Sequence, residues 1–448
     1  MQEFIRNIHF HMKQKLSCIL TWVLVLSTAI ALTLGLCQLS RTPLPWVDEI
    51  LWVSSAKSVG STGIGTPSVL LQFPKTGRFD IFYGPVPFWL GALSFRCFGL
   101  SIWSWRILSF LFGTLLVVSC GAITFRLSKN RFYAALAATF VAFAPDIGSR
   151  LTSGRMDALT VCLELAGTLF LLGSPSNKAG VFAGFLFAGA ALSSPRSMPF
   201  ILAFAVAAIL AAILSQNIRL LSVRMLSLAV CACLVTCWTF SVGLNPISWF
   251  GFIHSASVGD RDNVSPILGG AWNYSVDVLG AAPHELVLPL SVLLCAVGVL
   301  VCWKSLAKSE DLGFTAVVVA VNFGLSLLLI SRALNYQIFW LIPIVPVLLA
   351  AVQRLSPQPS SALRIIQAVL AFTLVMAVGV RAVKVAEVFR SWKSRDPQPM
   401  ASFVCSKVSK NSIVYGPSRL YFYSVEGCGS TYLFYEESLS SKTAFSVN

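Results

Sequence analysis

The chain of 448 residues is 56% hydrophobic and only 11% charged, with a mean hydropathy of +0.77. That balance excludes a soluble globular domain, whose surface needs far more charge, and it excludes disordered, collagen-like and coiled-coil chains as well. The net charge of +15 comes from basic residues scattered between apolar runs rather than gathered in a patch, which argues against nucleic acid and for membrane lipids as the counter-charge.

The first apolar run, 17–37, follows Arg6, Lys13 and Lys15. It is longer than the core of a cleaved signal and no small-residue cleavage site follows, so it reads as a retained helix. Eleven runs are long enough to cross the hydrocarbon layer: 17–37, 106–126, 132–147, 156–173, 179–195, 197–216, 220–244, 286–303, 312–331, 336–353 and 364–381. The fold class is therefore an all-α polytopic membrane protein. With the N-terminus inside, the inner connections carry Arg126, Lys129, Arg131, Lys178, Arg219, Arg224, Lys304, Lys308, Arg354 and Arg364, as the positive-inside bias requires. Fourteen of the eighteen acids then fall outside, so the outer loops are where chemistry is expected.

The outer connections hold the motifs. Asp48-Glu49 lies shortly after the first run, within Pro-Trp-Val-Asp-Glu-Ile-Leu-Trp, where the aromatic stretch suits an interfacial helix. A carboxylate at a membrane surface is a candidate base; a solvated acidic pair is the plainer reading. Next comes an aromatic, proline-rich segment in which Arg78, Asp80 and Tyr83 stand close together before Trp103, Trp105 and Arg106 open the second span. An aromatic belt explains the tryptophans but not that polar group. The stretch from Asp146 to Asp157 contains Arg150 and Arg155 at the start of the fourth span. Asp157 suits a helix N-terminus, while the two arginines suit an anion, because a guanidinium matches phosphate oxygens bidentately. Arg196 and Arg332 occupy further outer connections that the charge bias should leave empty. Glu164, deep in the fourth span, reads as an acid paired with a neighbouring helix.

Taken in order, Asp48-Glu49, Phe82-Tyr-Gly-Pro-Val-Pro-Phe-Trp-Leu through Trp105-Arg106, and Arg150 through Asp157 resemble the GT-C class of membrane glycosyltransferases. The likeness is to the bacterial branch related to protein O-mannosyltransferases and the lipid A aminoarabinose transferase, and it covers most of residues 15–355. The resemblance implies a polyprenyl-phosphate-sugar donor, a cavity at the outer membrane surface, and a lipid, glycan or protein acceptor. It places the catalytic acid at Asp48, with Glu49 adjacent, and a second acidic position at Asp157. The family's Lys-Gly pair is replaced by Ser193-Ser-Pro-Arg-Ser-Met-Pro199, where Arg196 supplies the positive charge. Arg332 and Tyr336, ahead of the proline-containing run, become candidates for the donor phosphate beside Arg150 and Arg155. Arg78, Tyr83, His284 and Glu285 are candidates for the substrate cavity. Some relatives bind a divalent ion near this loop, but one His and one Glu are too few ligands to claim zinc, so a divalent metal stays open, with none favoured.

Residues 1–381 are read as the transmembrane domain and 382–448 as a small outer α/β tail. In that tail Ser412–Gly416 and Arg419–Ser424 look like strands flanking a Pro-Ser turn, bringing Cys405 and Cys428 within reach of a disulfide. Compact outer loops suit a bacterial inner membrane with the site facing the periplasm. A transporter or flippase for a lipid-linked anion is the competing reading, disfavoured because the sequence has no clear internal repeat.

Overall fold

The computed structural model describes residues 2–42, 47–67, 69, 78–144, 153–173, 176–215, 218–249, 309–329, 338–355, 361–396, 398–409, 412–416, 421–428 and 431–434. The helices are α1 (Gln2–Cys37), α2 (Val47–Thr62), α3 (Phe79–Tyr83), α4 (Val86–Phe98), α5 (Ile102–Ser128), α6 (Arg131–Phe143), α7 (Asp157–Phe170) and α8 (Asn177–Ala191). After a 3-10 turn at Pro195–Ser197 follow α9 (Met198–Ser215), α10 (Ile218–Ser241), α11 (Glu310–Leu329), α12 (Ile338–Leu355) and α13 (Ser361–Arg390). The tail adds α14 (Gln398–Lys407), β1 (Ile413–Gly416), α15 (Tyr421–Cys428) and β2 (Thr431–Phe434).

Ten of the eleven expected spans have a helical counterpart; the run at 286–303 lies outside the described residues. Five described helices meet both length and hydropathy for crossing a membrane: 14–37, 102–128, 219–241, 338–355 and 363–390. Local chemistry sets their ends. At α5 the Ser101 hydroxyl accepts from the Ser104 amide at 3.0 Å, and the Ser104 hydroxyl accepts in return from the Ser101 amide at 2.9 Å. This reciprocal cap satisfies two amides that the first helical turn leaves without partners. The turn into α6 is equally tight: Lys129 is left-handed, with φ of 56°, and the Asn130 side chain caps the Phe132 amide at 2.9 Å.

The centre of the bundle is α12, buried along nearly its whole length against α5, α6, α7 and α11. Pro343 and Pro346 lie inside it. Such breaks survive where surrounding helices re-satisfy the freed backbone groups: Pro343 deprives the Phe339 carbonyl of its helical donor, and Asn322 Nδ2 of α11 donates to that carbonyl at 2.9 Å. Against lipid there is little hydrophobic drive between helices, so close packing carries the association. Small residues provide it where α8 meets α10, at Gly180 and Gly184.

Three connections gather at one end of the bundle: the segment of α2–α4, the stretch 153–156 before α7, and Leu192–Ser197 after α8. The opposite end is tied by Arg126 donating to the Leu172 carbonyl at 3.2 Å, Arg354 to Leu127 at 3.1 Å, and the Gly173 amide to Asp311 at 2.9 Å. Glu164 is fully buried in α7, and among the described residues neither of its oxygens has a hydrogen-bond partner, so the expected pairing with a neighbouring helix is not found there.

The tail differs from its sequence reading. α13 runs through residue 381 to Arg390, so the change of composition at 382 falls inside a helix rather than at a break. Tyr421–Cys428 is a helix, not a strand, and β1 pairs in parallel with β2, from Ile413 opposite Thr431 to Gly416 opposite Phe434. A parallel pair needs a crossover, and α15 supplies it in place of the expected hairpin. Cys405 and Cys428 are disulfide-bonded, with their Cα atoms 5.1 Å apart, joining the ends of α14 and α15.

Candidate active site

At the end where the three connections meet, a narrow cleft is lined by Trp52, Tyr83, Pro87, Phe88, Met156, Asp157, Ser193, Ser194 and Arg196. The lining combines aromatic and apolar side chains with a carboxylate, a guanidinium and two hydroxyl groups. Sequence reading anticipated Tyr83, Asp157 and Arg196 on this wall; Trp52 and the two serines stood in the quoted motifs without an assigned role.

Each wall is held by a specific device. Asp48 and Glu49 both lie in the first turn of α2, yet a helix turns about 100° per residue, so the two acids face different ways. Glu49 points inward: both its oxygens accept from Arg106, Oε1 from Nε at 2.6 Å and Oε2 from Nη2 at 2.7 Å, and both side chains are fully buried. Arg106 Nη1 also donates to the Leu39 carbonyl at 3.0 Å, which ties the outer end of α1 to the same point. Asp48 is half-buried and sits one turn before Trp52, the spacing that places two residues on one helix face. Glu49 is committed to Arg106, and Asp48 is the acid of the two that keeps partial exposure.

The stretch before α7 is fitted against this ion pair. Gly154 has φ of 69°, and a side chain there would place its Cβ 2.5 Å from the Trp105 ring and 2.6 Å from Glu49 Oε1. Only glycine allows that approach in a left-handed conformation. Ser109 of α5 donates to the Arg155 carbonyl at 2.9 Å, and the Arg155 Nε donates to Asp157 Oδ2 at 2.8 Å. Asp157 is the first residue of α7 and nearly buried. Met156 occupies the N-cap position without a side-chain hydrogen bond, so the Asp157 carboxylate serves the positive end of the helix from inside its first turn.

The third wall is built by Gly84, whose φ of 87° brings the chain against the Leu192 carbonyl, where the Val86 amide donates at 3.1 Å. That contact joins the start of α4 to the Ser193–Ser194–Arg196 turn. The Ser194 hydroxyl accepts from the Arg196 amide at 3.3 Å. Arg78 grips Asp80 through Nε at 3.2 Å and Nη2 at 2.6 Å, and Trp249 donates to the Ile81 carbonyl at 2.7 Å, so α3 and Tyr83 are fixed from two sides. Arg78 thus holds the element that bears Tyr83; Trp52 meets the Tyr83 ring edge-on at 5.4 Å.

Arg150, His284, Glu285, Arg332 and Tyr336 lie outside the described residues. Among the described residues no three His, Cys, Asp or Glu side chains converge, and the oxygens of Glu49 and the Oδ2 of Asp157 are engaged by arginines.

Residues 83–242 match the model of the dolichyl-phosphate-mannose-protein mannosyltransferase family. The structure superposes on ArnT from Cupriavidus metallidurans bound to undecaprenyl phosphate, with a TM-score of 0.58 and 16% identity over 91% of this chain and 85% of that one. The apo state of ArnT gives 0.56 and 15%, over 93% and 86%. The chain has the GT-C glycosyltransferase fold. An oligosaccharyltransferase from Archaeoglobus fulgidus, solved with zinc and sulfate, shares the GT-C fold at a TM-score of 0.53 and 12% identity, over 92% of this chain and 62% of that one. No curated protein sequence matches the chain. The chain thus has the fold of ArnT, is similar over residues 83–242 to the dolichyl-phosphate-mannose-protein mannosyltransferases, and is a multi-pass membrane protein built of helices.

Proposed function

We propose that this GT-C enzyme moves a sugar from a polyprenyl-phosphate donor to a lipid, glycan or protein acceptor at the outer face of a bacterial inner membrane. The observation that carries the reading is the mixed lining of the cleft, which brings Asp157 and Arg196 together with Trp52 and Tyr83. A sugar phosphate has matching halves, an anion and a ring whose C–H faces pack on aromatic surfaces. The acceptor's hydroxyl or amine attacks the anomeric carbon as the bond from that carbon to the phosphate oxygen breaks. Its proton passes to the Asp48 carboxylate, and a single displacement of this kind inverts the anomeric centre.

Charge grows on the departing phosphate as the bond stretches. Arg196, which lines the cleft, is the guanidinium assigned to it, and a preorganised guanidinium stabilises such charge without reorganising during the reaction. Arg155, oriented by Asp157, is the second donor, and Arg150, Arg332 and Tyr336 remain candidates for the same phosphate from the sequence. Glu49 acts as a positioning residue through Arg106. The engagement of both Glu49 carboxylate oxygens by Arg106 supports Asp48 rather than Glu49 as the base.

The test is turnover by the purified chain with a radiolabelled polyprenyl-phosphate sugar. Release of the sugar to an acceptor from a membrane extract is the expected result. Intact donor after incubation with all three acceptor classes would refute the reading, and movement of intact donor across a vesicle bilayer would favour a flippase instead.

A further inference from the structure

The described part of the tail is not a separate body beside the bundle. α15 buries Tyr421, Phe422 and Val425, exposed by only 1, 3 and 8%, in the same apolar cluster that contains Ile50, Trp52 and Val53 of α2, Phe88 of α4, and Trp105 and Met156. Val414 of β1 packs on that cluster as well. Trp52, Phe88 and Met156 are also cleft residues, so one packed unit has the cleft on one side and the tail helix on another.

The root of the tail is fastened to the other end of the same loop. Arg41, just after α1, donates to the Trp392 carbonyl at 2.9 Å, lies over the Trp392 ring at 4.3 Å and pairs with Asp396 at 3.6 Å. Arg395 reaches back to the Thr42 hydroxyl at 3.4 Å. The loop that leads into α2 is therefore tied at Arg41–Thr42 to the end of α13, while α15 shares an apolar cluster with Ile50, Trp52 and Val53 of α2. A helix of eight residues has little stability of its own, and the Cys405–Cys428 bond anchors α15 to α14.

We infer that the tail is a positioning part of the transfer site: α15, fastened by the Cys405–Cys428 bond, presses Tyr421 and Phe422 into the cluster behind Trp52 and so fixes the face of α2 that borders the cleft. This rests on the cleft being the site of transfer. An α15 released from α14 still folds back part of the time, but the wall behind Trp52 then loses packing atoms, and cores transmit such losses because they are closely packed. Donor binding suffers first, since a bound substrate needs the wall in one place, whereas the chemistry of a correctly bound donor is unchanged.

The experiment uses the full-length chain in lipid nanodiscs, comparing wild type with Cys405→Ser/Cys428→Ser and, with the disulfide intact, Phe422→Ala and Phe422→Leu. Hydrogen exchange is read in peptides spanning 47–56 and 153–159, and undecaprenyl phosphate is the binding probe. The expected result is faster exchange in both peptides, an affinity about fivefold weaker and a raised donor KM with kcat within about twofold, for the double serine and Phe422→Ala variants. Phe422→Leu, which refills most of the space, should recover most of the loss. Exchange changes confined to the tail, or undecaprenyl phosphate binding equal to wild type in both disruptive variants, overturns the inference. Failure of wild type to transfer any sugar would refute the enzymatic reading separately, because the exchange measurement does not depend on turnover.

Discussion

Arg106 and Glu49 form a fully buried, two-pronged ion pair, with 2.6 and 2.7 Å between their nitrogens and oxygens. Two charges withdrawn from solvent in this way are expensive as a pair and more so when one is removed, because the survivor has nowhere to find compensation. Arg106→Leu should therefore destabilise the protein by roughly 3–5 kcal/mol, while Arg106→Met/Glu49→Leu should recover a large part of that loss. Thermal unfolding of the purified variants measures both; a double variant no better than Arg106→Leu would contradict a pairing role.

Asp48 and Glu49 are adjacent in sequence and should behave differently. Asp48→Asn preserves size but cannot take a proton, so turnover should drop by about a hundredfold or more with melting temperature and donor binding retained. Glu49→Gln loses the charge opposite Arg106 and should show lower thermal stability before any specific effect on turnover. Normal turnover in Asp48→Asn with a dead but stable Glu49→Gln would transfer the base to Glu49.

Gly154 sits where a methyl group has no room and the backbone is left-handed. Gly154→Ala should cost more than about 1 kcal/mol, the usual penalty when alanine is forced into an incompatible conformation. It should also push Trp105 and the Glu49–Arg106 pair apart, so both stability and turnover fall. A variant as stable as wild type would mean that the turn relaxes without disturbing its neighbours.

The helical architecture was legible from hydropathy because spans of this length leave little choice of structure in lipid. The site was legible only in part. Asp48, Arg155, Asp157 and Arg196 stood out as charges in outer connections, but charge alone does not reveal direction, and only the helical turn separates Asp48 from its neighbour. Arg106 was read as the opening of a span; its position a turn inside an apolar run was the available sign that a buried carboxylate answers it. Trp52 and Met156 carried no sign at all, because an apolar side chain beside a cleft and one in a core have the same sequence signature. In the tail, β-branched and aromatic residues suggested two strands, and the tertiary cluster that contains Trp52 instead takes Tyr421, Phe422 and Val425 from a helix.

Tyr421 gives the tail a pH signature. Burial pushes its phenol above the ordinary value of 10.0, since the charged form is poorly solvated there. The folded state holds this proton more tightly than the unfolded one, so its contribution is complete below the unfolded value and is lost as pH rises past it. Protection of α15 against hydrogen exchange should fall on the alkaline side of about 10, and Tyr421→Phe should flatten that limb. An identical alkaline profile in the phenylalanine variant would assign the loss to other groups.

Arg155 and Arg196 should separate by what each leaves behind. Arg196 lines the cleft directly, and Arg196→Ala should weaken undecaprenyl phosphate binding about tenfold with little change in melting temperature. Arg196→Lys keeps the charge and loses the planar fork, so its affinity should fall between alanine and wild type. Arg155 also neutralises Asp157, whose side chain is only 5% exposed, so Arg155→Ala strands a nearly buried carboxylate and should lower both binding and stability. The companion variant Arg155→Ala/Asp157→Asn removes that stranded charge and should restore stability without restoring binding. Recovery of full affinity in the double variant would show that Arg155 serves only to balance Asp157, and wild-type binding in both single alanine variants would remove the phosphate from this side of the cleft.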